Sequence, residues 1–333
     1  SATGIVTATA NTGDAVILAG LTTTGTDEIA ITLANVSTTA ANLNTINGKT
    51  NVAVNANAIS ELTGNATDII SAYTANTAGT ITGLGTKAVI VDNTASAGNV
   101  NTIANATSGV VTATITSGAV SSTLAAITNV NTSDVITFTT TDTSVDASDL
   151  VALAAKVDTF TTSSIANITE DAANVGSVNT ALTTSGLLDG NENVSINGAI
   201  SVADINTLNG NTTGVITAVA TQTDAASLIT LTTTNTDMIT VNMAASSTSA
   251  GDLNTIDGKT GVAVNATSIS QLTGTATDIT AALSSAGITT VTNGSLAVNV
   301  SGAASVAEIN AINGDSATGI VTATANTGDA VIL

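Results

Sequence analysis

Apolar residues arrive along this chain in short pulses separated by Thr, Asn, Ser and Gly. Segments such as Asn51-Val52-Ala53-Val54-Asn55 and Asp237-Met238-Ile239-Thr240-Val241 follow a period of two, the pattern of a half-buried strand. Each is followed by apolar residues spaced three or four apart, as in Leu43/Ile46, Val100/Ile103, Ile205/Leu208, Leu253/Ile256 and Ile309/Ile312. That spacing predicts one short helical or 3₁₀ turn per place. Two longer runs, Ile59/Leu62/Ala66/Ile69/Tyr73 and Ile269/Leu272/Ala276/Ile279/Leu283, step by 3, 4, 3 and 4. Gly64 and Gly274 interrupt them, so each predicts two short helices. Asn-Gly or Asp-Gly at 47–48, 209–210, 257–258 and 313–314 predict turn corners.

The pulses recur with a period. They begin near Gly4, Glu28, Asn51, Lys87, Gly109, Asp134, Lys156, Asn193, Gly214, Asp237, Gly261, Leu296 and Gly319. The steps are 24, 23, 36, 22, 25, 22, 37, 21, 23, 24, 35 and 23, so three cassettes of ~23 residues and one ~13 longer make a set. Longer matches give the length of the set. Gly4–Thr9 has a relative at Gly109–Thr114, Asn42–Thr50 returns as Asp252–Thr260, and Ser1–Leu18 returns letter for letter at Ser316–Leu333. The chain therefore divides into copies at 1–105, 106–210 and 211–315, with 316–333 starting a further copy.

A ~23-residue cassette cannot bury an apolar face alone, whereas stacked equivalents place Val on Val and Ile on Ile and pair their backbones. The fold expected is mainly β: a parallel β-solenoid of ~23-residue coils with short helical turns on one flank. Val, Ile and Thr suit its strands, and the absence of Pro leaves every coil able to donate backbone hydrogen bonds. Tandem β-sandwich domains are the alternative, but they lean on Pro turns and bulky cores and do not explain the shorter period. A strand spacing of ~4.8 Å gives about twelve coils in 315 residues, roughly 58 Å. Internal copies have diverged while the two 18-residue ends are identical. This suggests a tandem array of near-identical 315-residue blocks, of which the chain is one window; its end midway through a cassette, without a visible capping unit, fits that expectation.

Composition narrows the chemistry. The chain has 333 residues, a net charge of −20, and no His, Cys, Pro or Trp; its four basic residues are Lys49, Lys87, Lys156 and Lys259. Without His or Cys there is no imidazole base, thiolate nucleophile, disulfide or zinc–thiolate site. Without Arg and with this charge, nucleic acid is not an expected partner. Low charge content (8%) with 43% hydrophobic residues is not a disordered composition. The longest apolar run, Ala15–Leu21, has seven residues, so membrane insertion is not expected. Ser1–Gly4 opens without a basic n-region, which would place any secretion signal outside this sequence.

The motif A-x-[DN]-L-N-T-I-[ND]-G-K-T at 40–50 and 250–260, and L-T-G-x-A-T-D-I at 62–69 and 272–279, resemble the Thr/Ala/Asn-rich repeats of giant secreted or cell-surface proteins of bacteria, cyanobacterial ones especially. That resemblance covers the whole chain and implies an extracellular fibrous or surface-layer protein. Such proteins often carry calcium-binding Gly-Gly-x-Gly-x-Asp nonapeptides; this sequence contains no Gly-Gly, so that property does not carry over.

The remaining candidates are individual side chains. Asp27, Asp134 and Asp237 precede strands at matching places, as calcium ligands or, better supported by one carboxylate per junction, as turn residues accepting backbone hydrogen bonds. Lys49, Lys156 and Lys259 recur at one place, as isopeptide donors or simply solvated residues beside a turn. Thr7-Ala8-Thr9, Thr112-Ala113-Thr114 and Thr322-Ala323-Thr324 resemble the Thr-x-Thr ladders of ice-binding solenoids, but return only every ~105 residues. Asn65, Asn105 and Asn265 head Asn-x-Thr triplets that allow glycosylation, and composition alone accounts for them. The 24 carboxylates could pair as in a glycosidase, but they lie scattered, and no aromatic sugar platform accompanies them. No catalytic, cofactor-binding or metal residue is therefore assigned. The expectation is a non-enzymatic extracellular filament or surface fibre whose partners are further copies of itself, with contact to a surface or polysaccharide allowed. Alternatives are the repetitive stalk of an adhesin and, more weakly, a carbohydrate-active solenoid.

Overall fold

The structure, a computed structural model, describes residues 4–290, 295–315 and 318–326. Half of the segment 316–333, the start of the further copy, lies outside the described residues. The architecture is mixed α/β, with 32% of the chain helical and 29% in strands. Every strand pair is parallel among the described residues. Sandwiches of antiparallel strands are therefore not what this chain forms.

The chain divides into two compact units, one running to Asp142 with Asp149–Ser164, the other Thr143–Ser148 with the residues from Ile165 onward. In the first, a six-stranded sheet has the order Thr159–Thr161, Val135–Thr139, Val111–Thr114, Ala88–Val91, Glu61–Gly64, Ser37–Thr39. Register runs from Thr38 to Leu62 to Val89 to Val111, placing a threonine at the head of a row of aliphatic residues. Short ladders add Thr7–Thr9 beside Glu28–Ala30 and Val54–Asn55 beside Ile81–Thr82. The helices Ala15–Ala19, Ala40–Asn47, Ala66–Thr77, Ala97–Ala106 and Val120–Ala126 pack each on the next. Leu43, Ile46, Ile69, Val100 and Ile103 from their inner faces are fully buried with Leu62, Val89, Val111 and Ile136 from the sheet. One pair of rings enters this ladder: Phe138 is buried and sits 5.6 Å, centroid to centroid, from Phe160 in the adjoining strand.

The second unit repeats the scheme. A five-stranded sheet orders Ser144–Asp146, Asn167–Asp171, Asn193–Ile200, Ile216–Ala220 and Met238–Thr240. A four-stranded sheet orders Ser247–Ser249, Gln271–Gly274, Leu296–Ala304 and Thr318–Ala325. The helices Ala225–Leu228, Ala250–Asp257, Ala276–Ser284 and Val306–Gly314 again pack in succession. Across the two units paired residues lie 20 to 27 positions apart, from Ala199 beside Val219 to Glu61 beside Ala88. Helices beginning at Ala15, Val120 and Ala225 stand 105 residues apart.

Four sequence expectations need correction. The helical share is larger than a mainly β reading allows, because an apolar pair three apart covers four residues, while these helices extend to 12 residues, as in Ala66–Thr77, through exposed Thr, Asn and Ser. These outer positions carry little periodicity and modest helix propensity. The run Ile59–Tyr73 is not two helices: Glu61–Gly64 is a strand, and Gly64 at φ 143° turns the chain into the helix that Asn65 caps. Gln271–Gly274, Gly274 at φ 149° and the helix Ala276–Ser284 repeat this. The extra strand also dissolves the ~36-residue cassette, since Glu61–Gly64 pairs on both sides within the regular spacing. Finally, the Asn-Gly and Asp-Gly corners are helix ends: Gly48 and Gly258 follow the last residues of Ala40–Asn47 and Ala250–Asp257.

Candidate functional site

The recurrent polar side chains converge on one place in each repeat, the entry to a strand. There, a strand N–H of one repeat donates to a side chain 21 to 23 positions further on. Val6 donates to Asp27 Oδ1 at 2.8 Å, Val111 to Asp134 Oδ1 at 2.9 Å and Ile216 to Asp237 Oδ1 at 2.9 Å. One step along, Ile29 donates to Thr50 Oγ1, Ile136 to Asp158 Oδ2 and Ile239 to Thr260 Oγ1. In the first set, the second carboxylate oxygen accepts from the residue's own turn: Thr24 N–H to Asp27 Oδ2 (2.7 Å), Asn131 to Asp134 (3.0 Å) and Thr234 to Asp237 (2.9 Å). Each carboxylate thus clamps its own turn to the preceding repeat. These N–H bonds, from Thr24 first and then Val6, hold the Asp27 carboxyl below its ordinary value.

A second set of side chains, which sequence inspection missed, reaches back to a helix N-terminus. Ala15 N–H donates to Asn35 Oδ1, Val120 to Asp142 Oδ2 and Val202 to Gln222 Oε1, at 2.7 to 2.8 Å. Glu170 accepts from the Ser148 N–H at 2.9 Å and from its hydroxyl. Burial works to raise the Glu170 carboxyl, but the bonds from Ser148, Asp171 and Asn174 outweigh it and hold it low. Each acceptor stands 20 to 22 positions after its donor, but the donor is a backbone N–H and leaves no side-chain mark in the sequence.

The other candidates occupy ordinary places. Lys156 Nζ donates to the Val130 carbonyl at 2.9 Å, and Lys49 and Lys259 are half-buried just past their helices, with N–H groups on Ile46 and Ile256 carbonyls. Thr112 stands between Ile90 and Val135 in its ladder, so the Thr-x-Thr pairs do not line up strand by strand. Thr7 Oγ1 donates to Glu28, and Thr322 is exposed beside Asn299. Asn65 caps a helix through Asp68 N–H, Asn265 donates to Asn242 Oδ1, and Asn105 is exposed.

A cavity of about 330 Å³ opens between the helices Ala66–Thr77 and Ala97–Ala106, lined by Ile70, Tyr73, Thr74, Thr102, Ile103 and Asn105 among others. Tyr73 is its only titratable group; burial pushes the phenol up, and its hydroxyl donates to the Leu84 carbonyl. Its walls thus offer hydroxyls and a carboxamide but no general base. Among the described residues no group of three or more acidic, His or Cys side chains is placed to hold a metal ion, and no helix is long and apolar enough to cross a membrane. No protein-family model matches this sequence, and no match is found among curated proteins or among solved structures.

Proposed function

We propose that this chain is a non-enzymatic, extracellular structural protein: a parallel β-solenoid whose coils continue through tandem 315-residue blocks as a filament or surface fibre. One observation carries the reading. Polar chemistry points from repeat to neighbouring repeat, through strand bonds at a spacing of 20 to 27 residues and through side-chain clamps such as Asp134 on Val111. A chain that spends its carboxylates on repeat-to-repeat bonds is built to extend. The resemblance to Thr/Ala/Asn-rich surface proteins favours an extracellular place, and the lack of Cys makes stability independent of redox conditions. The partners are further copies, with a surface or polysaccharide as a possible contact.

Electron microscopy of the native material tests this. Unbranched fibres with an axial repeat near 58 Å, twelve strand spacings of ~4.8 Å, are expected. Beads of about 105 residues joined by linkers would overturn it. Fibres ending in a distinct non-repetitive tip would reassign the chain to the stalk of an adhesin.

A further inference from the structure

Three boundaries between sequence copies share one register. Val89 pairs with Val111, Val194 with Ile216, and Val298 with Val321. At the first two, the backbone of the earlier repeat presses on a glycine: a Cβ on Gly109 would sit 2.2 Å from the Lys87 carbonyl oxygen, and one on Gly214 would sit 2.3 Å from that of Glu192. The Val110 and Val215 carbonyls accept there from Val89 and Val194 N–H, both at 2.9 Å. The later valine or isoleucine is sealed, with Val111 and Ile216 both 0% exposed.

Gly4, Ile5 and Val6 are the same residues of the first copy, yet Gly4 has nothing within 4 Å of a Cβ and Val6 is 48% exposed. A hollow of about 410 Å³ lies against Gly4, Val6 and Asp27. Among the described residues, the first strand thus carries a glycine shaped for a neighbour and a valine that nothing covers. The sequence names the neighbour. Ser1–Leu18 is identical to Ser316–Leu333, and the strand Thr318–Ala325 within that second segment lies against Leu296–Ala304.

We propose that the open face of the first strand is a docking surface for the repeat Leu296–Gly314 of a second copy of this chain. This deepens, and rests on, the filament reading. The register is Val298 beside Val6, Asn299 beside Thr7, Ala303 beside Thr9 and Ala304 beside Ala10, which transfers the pairs Val298–Val321, Asn299–Thr322, Ala303–Thr324 and Ala304–Ala325 by 315 positions. Val298 N–H donates to the Ile5 carbonyl, and the backbone at Leu296 fills the space beside Gly4. Between separate molecules the incoming strand displaces Thr318–Ala325, which holds the site with the same residues. In a tandem array that segment is itself the start of the next block.

The chain has no Cys, so a single engineered pair reports the register. The control pair Asn299→Cys with Thr322→Cys should close within one molecule on oxidation. Asn299→Cys with Thr7→Cys in the full chain should give a ladder of disulfide-linked oligomers, because oxidation traps each exchange. Adding Val321→Asp, which weakens the resident strand, should raise the ladder severalfold. Adding Gly4→Val should suppress it at least tenfold while leaving circular dichroism and melting of the monomer unchanged. The inference is overturned if the control pair closes but the Thr7/Asn299 chain stays monomeric even with Val321→Asp, or if Gly4→Val leaves the ladder intact. Fibres of the expected repeat without a ladder would sink this register and spare the filament; a ladder without native fibres would do the reverse.

Discussion

Thr38 shows how much one atom decides in such a chain. It begins the ladder that continues through Leu62, Val89 and Val111, it is buried, and its hydroxyl has no hydrogen-bond partner among the described residues. The second copy carries Val145 at this place, between Ser144 and Asp146, and Val145 is equally inside its ladder. A buried hydroxyl without a partner costs about 1 kcal/mol or more, and Val matches its shape. Thr38→Val should therefore stabilise by roughly 1 kcal/mol; a lower urea midpoint for the variant would show that the hydroxyl is satisfied after all. Asp27 makes the complementary case. Backbone N–H groups hold its carboxyl low, so its folded pKa lies below its unfolded one. Its contribution is complete above about pH 4 and drains away as pH falls through the folded value. Asp27→Asn should accordingly lose less melting temperature than the parent between about pH 5 and pH 2.5. Equal losses would mean that other carboxylates carry the acid response. Glu308, held low by the Ser305 N–H and hydroxyl, has the same sign and is the control to change separately.

At the scale of elements, helix starts here depend on the following repeat. The helix Val120–Ala126 has Ala119 at its N-cap, which offers no side-chain acceptor, and Asp142 supplies the missing one to Val120 N–H. Asp142→Ala should cost about 0.5–2 kcal/mol, the usual range for a lost cap. Asp142→Asn, which keeps an acceptor oxygen, should recover most of it; denaturation of the two variants side by side checks this. Such devices explain what was legible. Strand positions could be read because pairs such as Val52/Val54 and Ile239/Val241 stand two apart and such pulses return at a regular spacing. Gly109 and Gly214 could be read as strand-entry residues, but not as points where another backbone presses. Helix lengths could not be read, since Thr45, Thr102 and Thr255 bond their own i−4 carbonyls on exposed faces and leave no apolar mark. Asn35 and Gln222 escaped notice because their partners are backbone atoms 20 positions away, which side-chain patterns do not display.

For the whole molecule, the deciding question is how far a disturbance travels. The helix Ala40–Asn47 packs on Ala15–Ala19 before it and Ala66–Thr77 after it; likewise Ala250–Asp257 packs on Ala225–Leu228 and Ala276–Ser284. Leu43 and Leu253 are corresponding, fully buried residues of the first and third copies. If stability is a sum of repeat and nearest-neighbour contributions, removing either side chain opens a cavity felt only nearby. Leu43→Ala and Leu253→Ala should each cost about 2–5 kcal/mol locally. Hydrogen exchange should then show faster amides in Ala15–Ala19, Ala40–Asn47 and Ala66–Thr77 for Leu43→Ala, with Ala250–Asp257 unchanged, and the mirror result for Leu253→Ala. A protein with one indivisible core would lose protection everywhere in both variants. That outcome would remove the physical basis for extension by repetition, because length could then not be added without renegotiating the whole fold.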